Sequence, residues 1–453
     1  MSIQKLQQII GSLSATDQRT ANVIRNTIMS AGMKVAALAC SLVMVPITID
    51  YLNAENYGIW MAMTSILYWF AFFDVGLGNG MRNYLAEALS LGDYEKARSY
   101  FSTAMFLLSG LAIVIACIVV PLVYLFDLND LFNAHNIDGR FLANVLSVAI
   151  IITLVQFVVK NIGMVYIAMQ KYAVNDLIIF LGSILSVIVV YILTKTTEPN
   201  LMYVIVAFTG LPVLMFIFAS IPLLKQYPQL IPSFDSIDTH TAGRIVSKGL
   251  GFFVIQITSC LVIFGSANVF ISHYCGPEQV TVYNVSYKLF NVLIIGYTIL
   301  ISPLWNAYTD AFTKGDYAWI RKIYRRSMLM WVITVAGGFV GLLCSNWFFH
   351  IWLGDSVTIP FEVSLCILLY VSLFNFNNCV TYLINGLNKI RVQIITSIIA
   401  TLIFLTIVYI VKGSLGIVGI SIAMSVSYLF MAIVHTYQCY LLSNNKAEGI
   451  WNK

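Results

Sequence analysis

The stretch LAEALSLGDYEKARSYFSTAM at residues 85–105 decides the fold, because a related stretch, YTDAFTKGDYAWIRKIYRRSM, follows 223 positions later at residues 308–328. Aligned without a gap, the two share an alanine, the Gly-Asp-Tyr triplet, an arginine and a methionine: Ala88/Ala311, Gly92/Gly315, Asp93/Asp316, Tyr94/Tyr317, Arg98/Arg321 and Met105/Met328. Each copy is a polar, basic island between long apolar segments. An island that recurs half a chain later is typical of a duplicated membrane bundle.

The composition indicates that lipid is the solvent for much of the surface. The chain has 453 residues, of which 59% are hydrophobic and only 10% charged, and its mean hydropathy is +0.86. Soluble domains carry about 25% charged residues, and a soluble chain of this composition would expose large apolar patches. The net charge of +5 is small, and no pattern points to a nucleic-acid partner.

Runs of apolar residues give the number of membrane spans. A spanning helix needs about 20 mostly apolar residues, and twelve such runs occur. They lie at 27–51, 59–80, 100–126, 141–169, 177–194, 201–224, 249–272, 280–307, 328–352, 361–386, 392–411 and 416–442. The sequence therefore predicts an all-α polytopic membrane protein with about twelve transmembrane helices.

The distribution of lysine and arginine predicts the orientation in the membrane. With the N-terminus placed in the cytoplasm, nineteen of these residues fall on the cytoplasmic side and three, Arg140, Lys195 and Lys412, on the other. Cytoplasmic loops carry such an excess of positive charge. We therefore expect a multi-pass protein with both termini in the cytoplasm.

The longest internal connection predicts the domain boundary. Residues 225–248 join the sixth run to the seventh, so we predict an N-terminal lobe at 1–240 and a C-terminal lobe at 241–453. At the N-terminus, Ile3, Leu6 and Ile10 recur at helical spacing among polar residues. Residues 1–20 are therefore either an amphipathic helix on the inner membrane surface or a frayed tail.

Nothing in the loops predicts catalysis. Catalysis needs a convergent set of acids, bases or metal ligands, whereas the five histidines are scattered along the chain. There is no Walker A sequence, so ATP is not the direct energy source. We expect no enzyme, no cofactor and no metal site.

Polar residues inside the spans are the candidates for substrate binding. A charged side chain at mid-bilayer costs about 2.5–3.5 kcal/mol, so it usually faces the bundle interior or a water-filled cavity. The predicted site residues are three lysines together with amides that share a helix face with one of them or line the tenth run: Lys34, Lys160, Lys288, Gln156, Asn284, Asn291 and Asn378. Two structural roles are the alternatives to substrate binding. The lysines extend to the lipid headgroups, and the asparagines form hydrogen bonds between helices.

These lysines predict the charge of the cargo. The acidic residues Asp50 and Asp74 lie near the ends of the first and second runs, so we expect no equally deep acidic partner for the lysines. A cavity lined by them would repel cations and attract an anionic head group. A lysine ammonium is a compact charge suited to phosphate.

Two regions carry a resemblance to a known family. In the first half they are YLNAENYGIW at 51–60 and FFDVGLGNGMRNYLAEALSLGDYEKARSYFSTA at 72–104. In the second half they are GPEQVTVYNVSYKLFNVL at 276–293 and SPLWNAYTDAFTKGDYAWI at 302–320. The sequence resembles the polysaccharide exporter branch of the MATE/MOP superfamily, and within it the O-antigen flippases of the Wzx type.

The resemblance implies an architecture and an activity. It implies two pseudo-symmetric six-helix lobes around a central cavity, in the bacterial inner membrane. The activity implied is alternating-access transfer of a polyprenyl-diphosphate-linked oligosaccharide to the outer leaflet, with the connection at 225–248 letting the lobes move as units. Other O-antigen assembly proteins are partners in this setting, and a coupling ion, H⁺ or Na⁺, stays open.

One position departs from the family, and several other functions stay open. Many relatives have an acidic residue in the seventh helix where this chain has Asn268, so ion coupling through that carboxylate is in doubt. The alternatives are a MATE-type exporter of small cations, a polytopic O-antigen polymerase, which is an enzyme, and a membrane scaffold that transports nothing. Unpaired lysines disfavour the first, and the lack of a large external loop disfavours the second.

Overall fold

The computed structural model describes residues 15–72, 77–238, 263, 265–354, 356–411 and 414–452. Every regular element in these residues is an α-helix or a short 3₁₀-helix. The predicted all-α class is therefore confirmed. Residues 1–14 of the predicted amphipathic segment lie outside the described residues.

The described helices of the first half include both long and short segments. They are α1 Ala15–Leu52, α2 Ala54–Phe72, α3 Leu77–Ser90, α4 Tyr94–Val123, α5 Leu128–Phe132, α6 Gly139–Val159, α7 Asn161–Ala168, α8 Tyr172–Thr196 and α9 Leu201–Gln226. Two 3₁₀ turns, Pro228–Leu230 and Phe234–Ser236, follow.

The described helices of the second half also include both long and short segments. They are α10 Ala267–Cys275, α11 Pro277–Ile301, α12 Leu304–Thr313, α13 Tyr317–Leu343, α14 Ser345–Leu353, α15 Phe361–Gly386, α16 Arg391–Val411 and α17 Gly416–Ser443. A 3₁₀ turn, Gly449–Asn452, ends the described chain.

Ten of the predicted spans are helices long and apolar enough to cross a membrane, counted over the described residues. The predicted second span, 59–80, is represented by α2 and α3 on either side of residues 73–76. Most of the predicted seventh span, 249–272, lies outside the described residues, and α10 is its described end. About twelve spans is therefore the count that the fold supports.

The predicted fourth span corresponds to one candidate membrane span, Gly139–Ala168, with a local irregularity in its middle. The regular helical pattern stops at Val159 and resumes at Asn161, while Lys160 keeps helical angles of φ −59° and ψ −18°. The Asn161 side chain donates from Nδ2 to the carbonyls of Phe157 at 3.1 Å and Val158 at 3.0 Å. A side chain that bonds the preceding turn competes with the regular helical pattern, and this explains the irregularity.

The two repeated islands fold into the same turn. Gly92 and Gly315 have φ +72° and +70°, a left-handed conformation that glycine adopts without steric cost. The amide of Asp93 donates to Ala88 O at 3.0 Å and that of Asp316 to Ala311 O at 2.9 Å. Each aspartate then caps the next helix, as Asp93 accepts from Lys96 N and Asp316 from Trp319 N. Each island thus ends one helix and starts the next within three residues.

The Asp93 cap carries a second contact. Lys96 Nζ lies 2.8 Å from Asp93 Oδ2, and this hydrogen bond lowers the pKa of the Asp93 carboxyl below its usual range. The lysine is exposed and the aspartate partly so, and a surface pair of this kind adds little to stability.

Each repeated arginine holds the chain near the end of the last described long helix of its half. Arg98 Nε donates to Ile231 O at 2.8 Å, just beyond α9. Arg321 Nη1 donates to Ser443 O at 2.9 Å, at the end of α17. The duplication read from the sequence therefore extends to tertiary contacts.

The first part of the predicted linker is bound to α4. The amide of Ser233 donates to Ser102 Oγ at 3.1 Å, and that of Asp238 donates to Thr103 Oγ1 at 2.9 Å. Phe234 stacks on Phe106 with ring centroids 4.0 Å apart. Residues up to 238 of the predicted connection therefore lie along a helix of the first half, and that the connection lets the lobes move as units stays a prediction.

The chain divides into two compact units. Unit 1 comprises residues 1–51, 73–125 and 143–250. Unit 2 comprises residues 52–72, 126–142 and 251–453, so that α2 and α5 of the first half belong to it. The lobes 1–240 and 241–453 stay a prediction, since these units follow packing rather than chain order.

Candidate functional site

Unit 1 contains an ion pair between α1 and α8. Lys34 Nζ lies 3.6 Å from Asp176 Oδ2, and the same carboxylate oxygen accepts the hydroxyl of Ser30, one turn before Lys34. Asn175 Nδ2 lies 3.3 Å from the other carboxylate oxygen. The side chain of Asp176 is 11% exposed, whereas that of Lys34 is 58% exposed. The carboxylate is thus buried with its partners, and the ammonium is accessible.

This pair corrects an expectation about the lysines. The prediction that the candidate lysines have no acidic partner in the spans is wrong for Lys34. The sequence did not identify Asp176 as a partner, because this residue falls one position before the predicted fifth span. In the structure, α8 begins at Tyr172, four residues before Asp176, so the carboxylate belongs to the helix. A carboxylate within the first turns of an apolar helix was the signal that could have identified it.

Lys160 and Gln156 lie together at the irregularity between α6 and α7. The amide of Lys160 donates to Gln156 O at 2.9 Å, and both side chains are half-buried. Lys160 Nζ lies 5.3 Å from the centroid of the Phe157 ring, within the distance at which a cation is attracted by an aromatic face. Lys160 therefore lies at a local irregularity in the middle of one span.

Unit 2 contains a neutral amide pair in place of an ion pair. Asn284 Nδ2 donates to Asn268 Oδ1 at 2.9 Å, and Asn268 Nδ2 donates to Ser65 Oγ at 2.7 Å. Asn284 also donates to Val280 O at 2.8 Å. The two asparagines are 8% and 9% exposed, and together they join α11, α10 and α2. Asn284 therefore makes a hydrogen bond between helices, which is the alternative to substrate binding given for the asparagines above.

Lys288 and Asn291 follow Asn284 on α11. Lys288 and Asn291 are half-buried, and Asn291 Oδ1 accepts the hydroxyl of Tyr287 at 3.2 Å. The rings of Tyr283 and Tyr287 stack with centroids 6.1 Å apart. The side chains near Lys288 on α11 therefore carry hydroxyl and amide groups.

The asparagines of α15 do not act as one row. Asn375 is buried and donates to Leu293 O on α11 at 3.2 Å. Asn377 Oδ1 contacts Nδ1 of the buried His435 on α17 at 2.8 Å. Asn378 is half-buried. Of these, Asn375 and Asn377 hold helices together, and Asn378 is the one predicted as a binding residue.

The predicted site residues divide between the two units. Unit 1 holds Lys34, Gln156 and Lys160, and unit 2 holds Asn284, Lys288, Asn291 and Asn378. Their convergence on one cavity stays a prediction. Within the described ranges, no group of three or more His, Cys, Asp or Glu side chains is arranged to hold a metal ion.

The fold and these residues define a class of protein: a duplicated, polytopic membrane transporter with charged and amide side chains inside its spans. Residues 23–305 match the family described as polysaccharide biosynthesis protein. This match covers more than half of the chain, so the protein belongs to that family.

Curated relatives match over most of their length. An O-antigen transporter of Salmonella typhimurium is 22% identical over 432 residues, which cover 91% of this chain and 95% of the relative. An O-antigen transporter of Salmonella typhi is 22% identical over 339 residues, 72% of this chain and 73% of the relative. An O-antigen export protein of Yersinia pseudotuberculosis is 23% identical over 353 residues, 74% and 76% of the two chains.

Solved structures share the fold. An inward-facing multidrug resistance MATE family transporter of the MOP superfamily has a TM-score of 0.72 at 14% identity, covering 94% of this chain and 100% of the other. A MOP superfamily transporter from Pyrococcus furiosus has a TM-score of 0.63 at 14% identity, covering 95% and 97%. At this identity the likeness establishes the MATE-like fold and leaves the cargo to other arguments.

Proposed function

We propose that the protein is an O-antigen flippase, which moves a polyprenyl-diphosphate-linked oligosaccharide from the cytoplasmic to the outer leaflet of the bacterial inner membrane. The observation that carries the proposal is the match with the O-antigen transporter of Salmonella typhimurium over 91% of this chain. Both termini lie in the cytoplasm in this proposal, as the distribution of lysine and arginine predicts.

The ion pair in unit 1 supports an anionic cargo. Lys34 is more than half exposed and shares its charge with a buried carboxylate at 3.6 Å. The ammonium is exposed, and the carboxylate keeps the hydroxyl of Ser30 as a second partner; hydrogen bonds between charged groups and phosphate are stronger than neutral ones. A diphosphate can therefore draw the ammonium away from Asp176 and be released again when the pair re-forms.

The seam between α2 and α11 supports alternating access. These helices come from different halves of the chain and pack closely within unit 2. A Cβ on Gly58 would lie 1.7 Å from Pro277 O, and Thr281 Oγ1 donates to Ala54 O at 2.6 Å. The two halves of the chain therefore meet here in a tightly closed contact, as the closed side of an alternating-access cycle requires.

The test is complementation of a strain that lacks the gene. Without the protein, lipid-linked repeat units should accumulate inside the cell and surface polysaccharide should disappear. The wild-type protein should restore the surface glycan. Export of organic cations without this restoration would favour a small-molecule exporter, and surface glycan shortened to single repeat units in the deletion strain would favour a polymerase.

Lys160→Ala tests the site within the same assay. The expected result is loss of surface glycan with normal membrane insertion, because the diphosphate loses a cationic partner in the span. The matched control is Lys195→Ala, which removes an exposed lysine at the last turn of α8 and should restore the glycan fully. Full surface glycan with Lys160→Ala would remove that residue from the site.

A further inference from the structure

One face of α13 carries three cations that the proposed transport cycle does not use. Lys322, Arg325 and Arg326 are spaced i, i+3 and i+4, so they lie on the same side of the helix, and all three are exposed. Over the described residues, no hydrogen bond or ion pair involves these three side chains. Their charges are therefore available to an anionic ligand.

The sequence repeat provides the equivalent face in unit 1. In the alignment of the two islands, the two arginines correspond to Ser102 and Thr103 of α4, which are 0% and 2% exposed. Their hydroxyls accept the backbone amides of Ser233 and Asp238, in the chain that follows α9. In unit 1 this face is thus a docking face, and a segment of the chain itself occupies it.

In unit 2 the equivalent face is open. Extended by one position, the alignment pairs Phe106 of α4 with Leu329 of α13. Phe106 stacks on Phe234, whereas Leu329 is 60% exposed. The chain that follows α17 packs on α17 instead, where Gln438 Nε2 donates to Trp451 O at 3.2 Å. The docking face of unit 2 therefore remains accessible to an occupant from outside the chain.

The exchange of side chains between the two copies changes the chemistry of that occupant. The hydroxyls on α4 accept hydrogen bonds from peptide amides. A guanidinium has only donors, and it pairs with phosphate oxygens through two parallel hydrogen bonds. Three positive charges on one helix face also attract a ligand of net negative charge. The face of α13 therefore fits a phosphate group.

The same face of α13 continues as an apolar stripe. Leu329, Ile333 and Val340 lie on the side of the cations and are 60%, 63% and 63% exposed. They belong to a helix that is long and apolar enough to span a membrane. Arg326 and Leu329 are three residues apart, a rise of about 4.5 Å. A phosphate beside the arginines is thus followed directly by hydrocarbon, which is the order of groups in a membrane lipid and not in a soluble acidic partner.

We propose that this face of α13 binds an anionic glycerophospholipid, whose phosphate contacts Lys322, Arg325 and Arg326 and whose acyl chain lies along the stripe. Phosphatidylglycerol has a net negative charge, whereas phosphatidylcholine carries a cation that the three side chains repel. The distribution of lysine and arginine predicts that α13 begins on the cytoplasmic side, where anionic lipids attract basic segments next to a span. None of the three cations is among the predicted substrate-binding residues, so this lipid site goes beyond the proposed function.

The test is photolabelling of the purified full-length protein in phosphatidylcholine nanodiscs. The probe is phosphatidylglycerol with a diazirine in an acyl chain, close to the glycerol, and the labelled peptides are identified by mass spectrometry. The expected label falls on the segment from Tyr317 to Val340. Unlabelled phosphatidylglycerol should compete for this label, and a phosphatidylcholine probe of the same design should not produce it.

Two double variants with the same loss of charge separate a site from a diffuse attraction. Arg325→Gln/Arg326→Gln should lower the labelling of α13 about tenfold, because each basic residue near the surface adds to the attraction of anionic lipid. Lys225→Gln/Arg391→Gln removes two exposed cations from the last turn of α9 and the start of α16, and it should leave the labelling unchanged. All four side chains are exposed, so we expect both variants to insert and fold as the wild type does.

Four results would overturn the proposal. Equal losses in the two double variants would show that total surface charge attracts the lipid, and equal labelling by the phosphatidylcholine probe would show an ordinary bilayer contact. Competition by polyprenyl diphosphate at lower concentrations than by phosphatidylglycerol would assign the face to the lipid-linked cargo. Absence of label from α13 would leave the face to a soluble acidic partner. The proposed function is tested separately, by restoration of surface glycan, and none of these results changes it.

Discussion

The polar interiors of the two units are built differently. In unit 1, Lys34 and Asp176 form a charged pair, 3.6 Å apart, whose lysine is exposed. In unit 2, Asn268 and Asn284 form a neutral pair, 2.9 Å apart, in which both residues are buried. The first pair can exchange its carboxylate for another anion, whereas the second has its amides bonded to each other and to backbone.

This difference separates a pair suited to substrate binding from a pair that holds helices together. In the charged pair the Lys34 ammonium is exposed, and the Asp176 carboxylate keeps the Ser30 hydroxyl when the ammonium moves away. A buried amide pair is not easily rearranged, because breaking it leaves polar groups without partners, at about 1–3 kcal/mol for each. We therefore expect variants of the charged pair to change transport, and variants of the amide pair to change stability.

Lys34→Gln should have the largest effect. It removes the cation while keeping a polar side chain of similar length, and the loss of a charged hydrogen bond of about 1.5–3 kcal/mol should lower transport by about 10- to 150-fold. Transport is measured as surface glycan restored per inserted protein. The companion variant Asp176→Asn keeps Lys34 and the hydrogen bond from Ser30, so its transport should stay within about threefold of wild type. Equal losses in both variants would mean that the pair is structural.

Asn284→Leu should have the second largest effect, and on stability rather than on transport per folded molecule. It leaves Asn268 without its reciprocal partner, at a cost of about 1–3 kcal/mol. The double variant Asn268→Leu/Asn284→Leu replaces both partners and should be less destabilised than the single one. Thermal unfolding in detergent, followed by size-exclusion chromatography, measures both. A double variant that loses the sum of two single losses would contradict the reading of a paired amide.

Gly92→Ala and Gly315→Ala should have the smallest effects, and equal ones. Each places a side chain in the left-handed turn that the two halves share, at about 1 kcal/mol. Gly110→Ala is the matched control, because Gly110 lies within helix α4 with open space around its Cα; it should be neutral or slightly stabilising. The same unfolding assay applies. Clearly unequal losses at Gly92 and Gly315 would show that the repeated islands differ in their importance for the fold.

Much of the fold was predictable because the signals are local. A span is a run of apolar residues, and each of ten predicted runs corresponds to a helix in the described chain. The turn in each island was equally predictable from the sequence. Glycine adopts the left-handed conformation that the turn requires, and aspartate caps the helix that follows. The irregularity at Lys160 could not be predicted from the sequence, because it depends on the hydrogen bonds that the Asn161 side chain makes to the preceding turn.

The candidate site was only half predictable. The lysines stand out in sequence because a charge in an apolar run is unusual. Their partners do not stand out, because Asp176 is 142 positions from Lys34. Asn268 was visible as a departure from the family, but its bond to Asn284 depends on the crossing of α10 and α11.

By itself, the sequence determined the solvent, the class, the number of spans and the duplication, since these follow from composition and short patterns along one chain. Only the tertiary structure decided that Lys34 has a carboxylate partner and that the amides of unit 2 satisfy each other. The reason is that burial and charge compensation are properties of residues brought together from distant parts of the chain, and helix packing sets which residues those are.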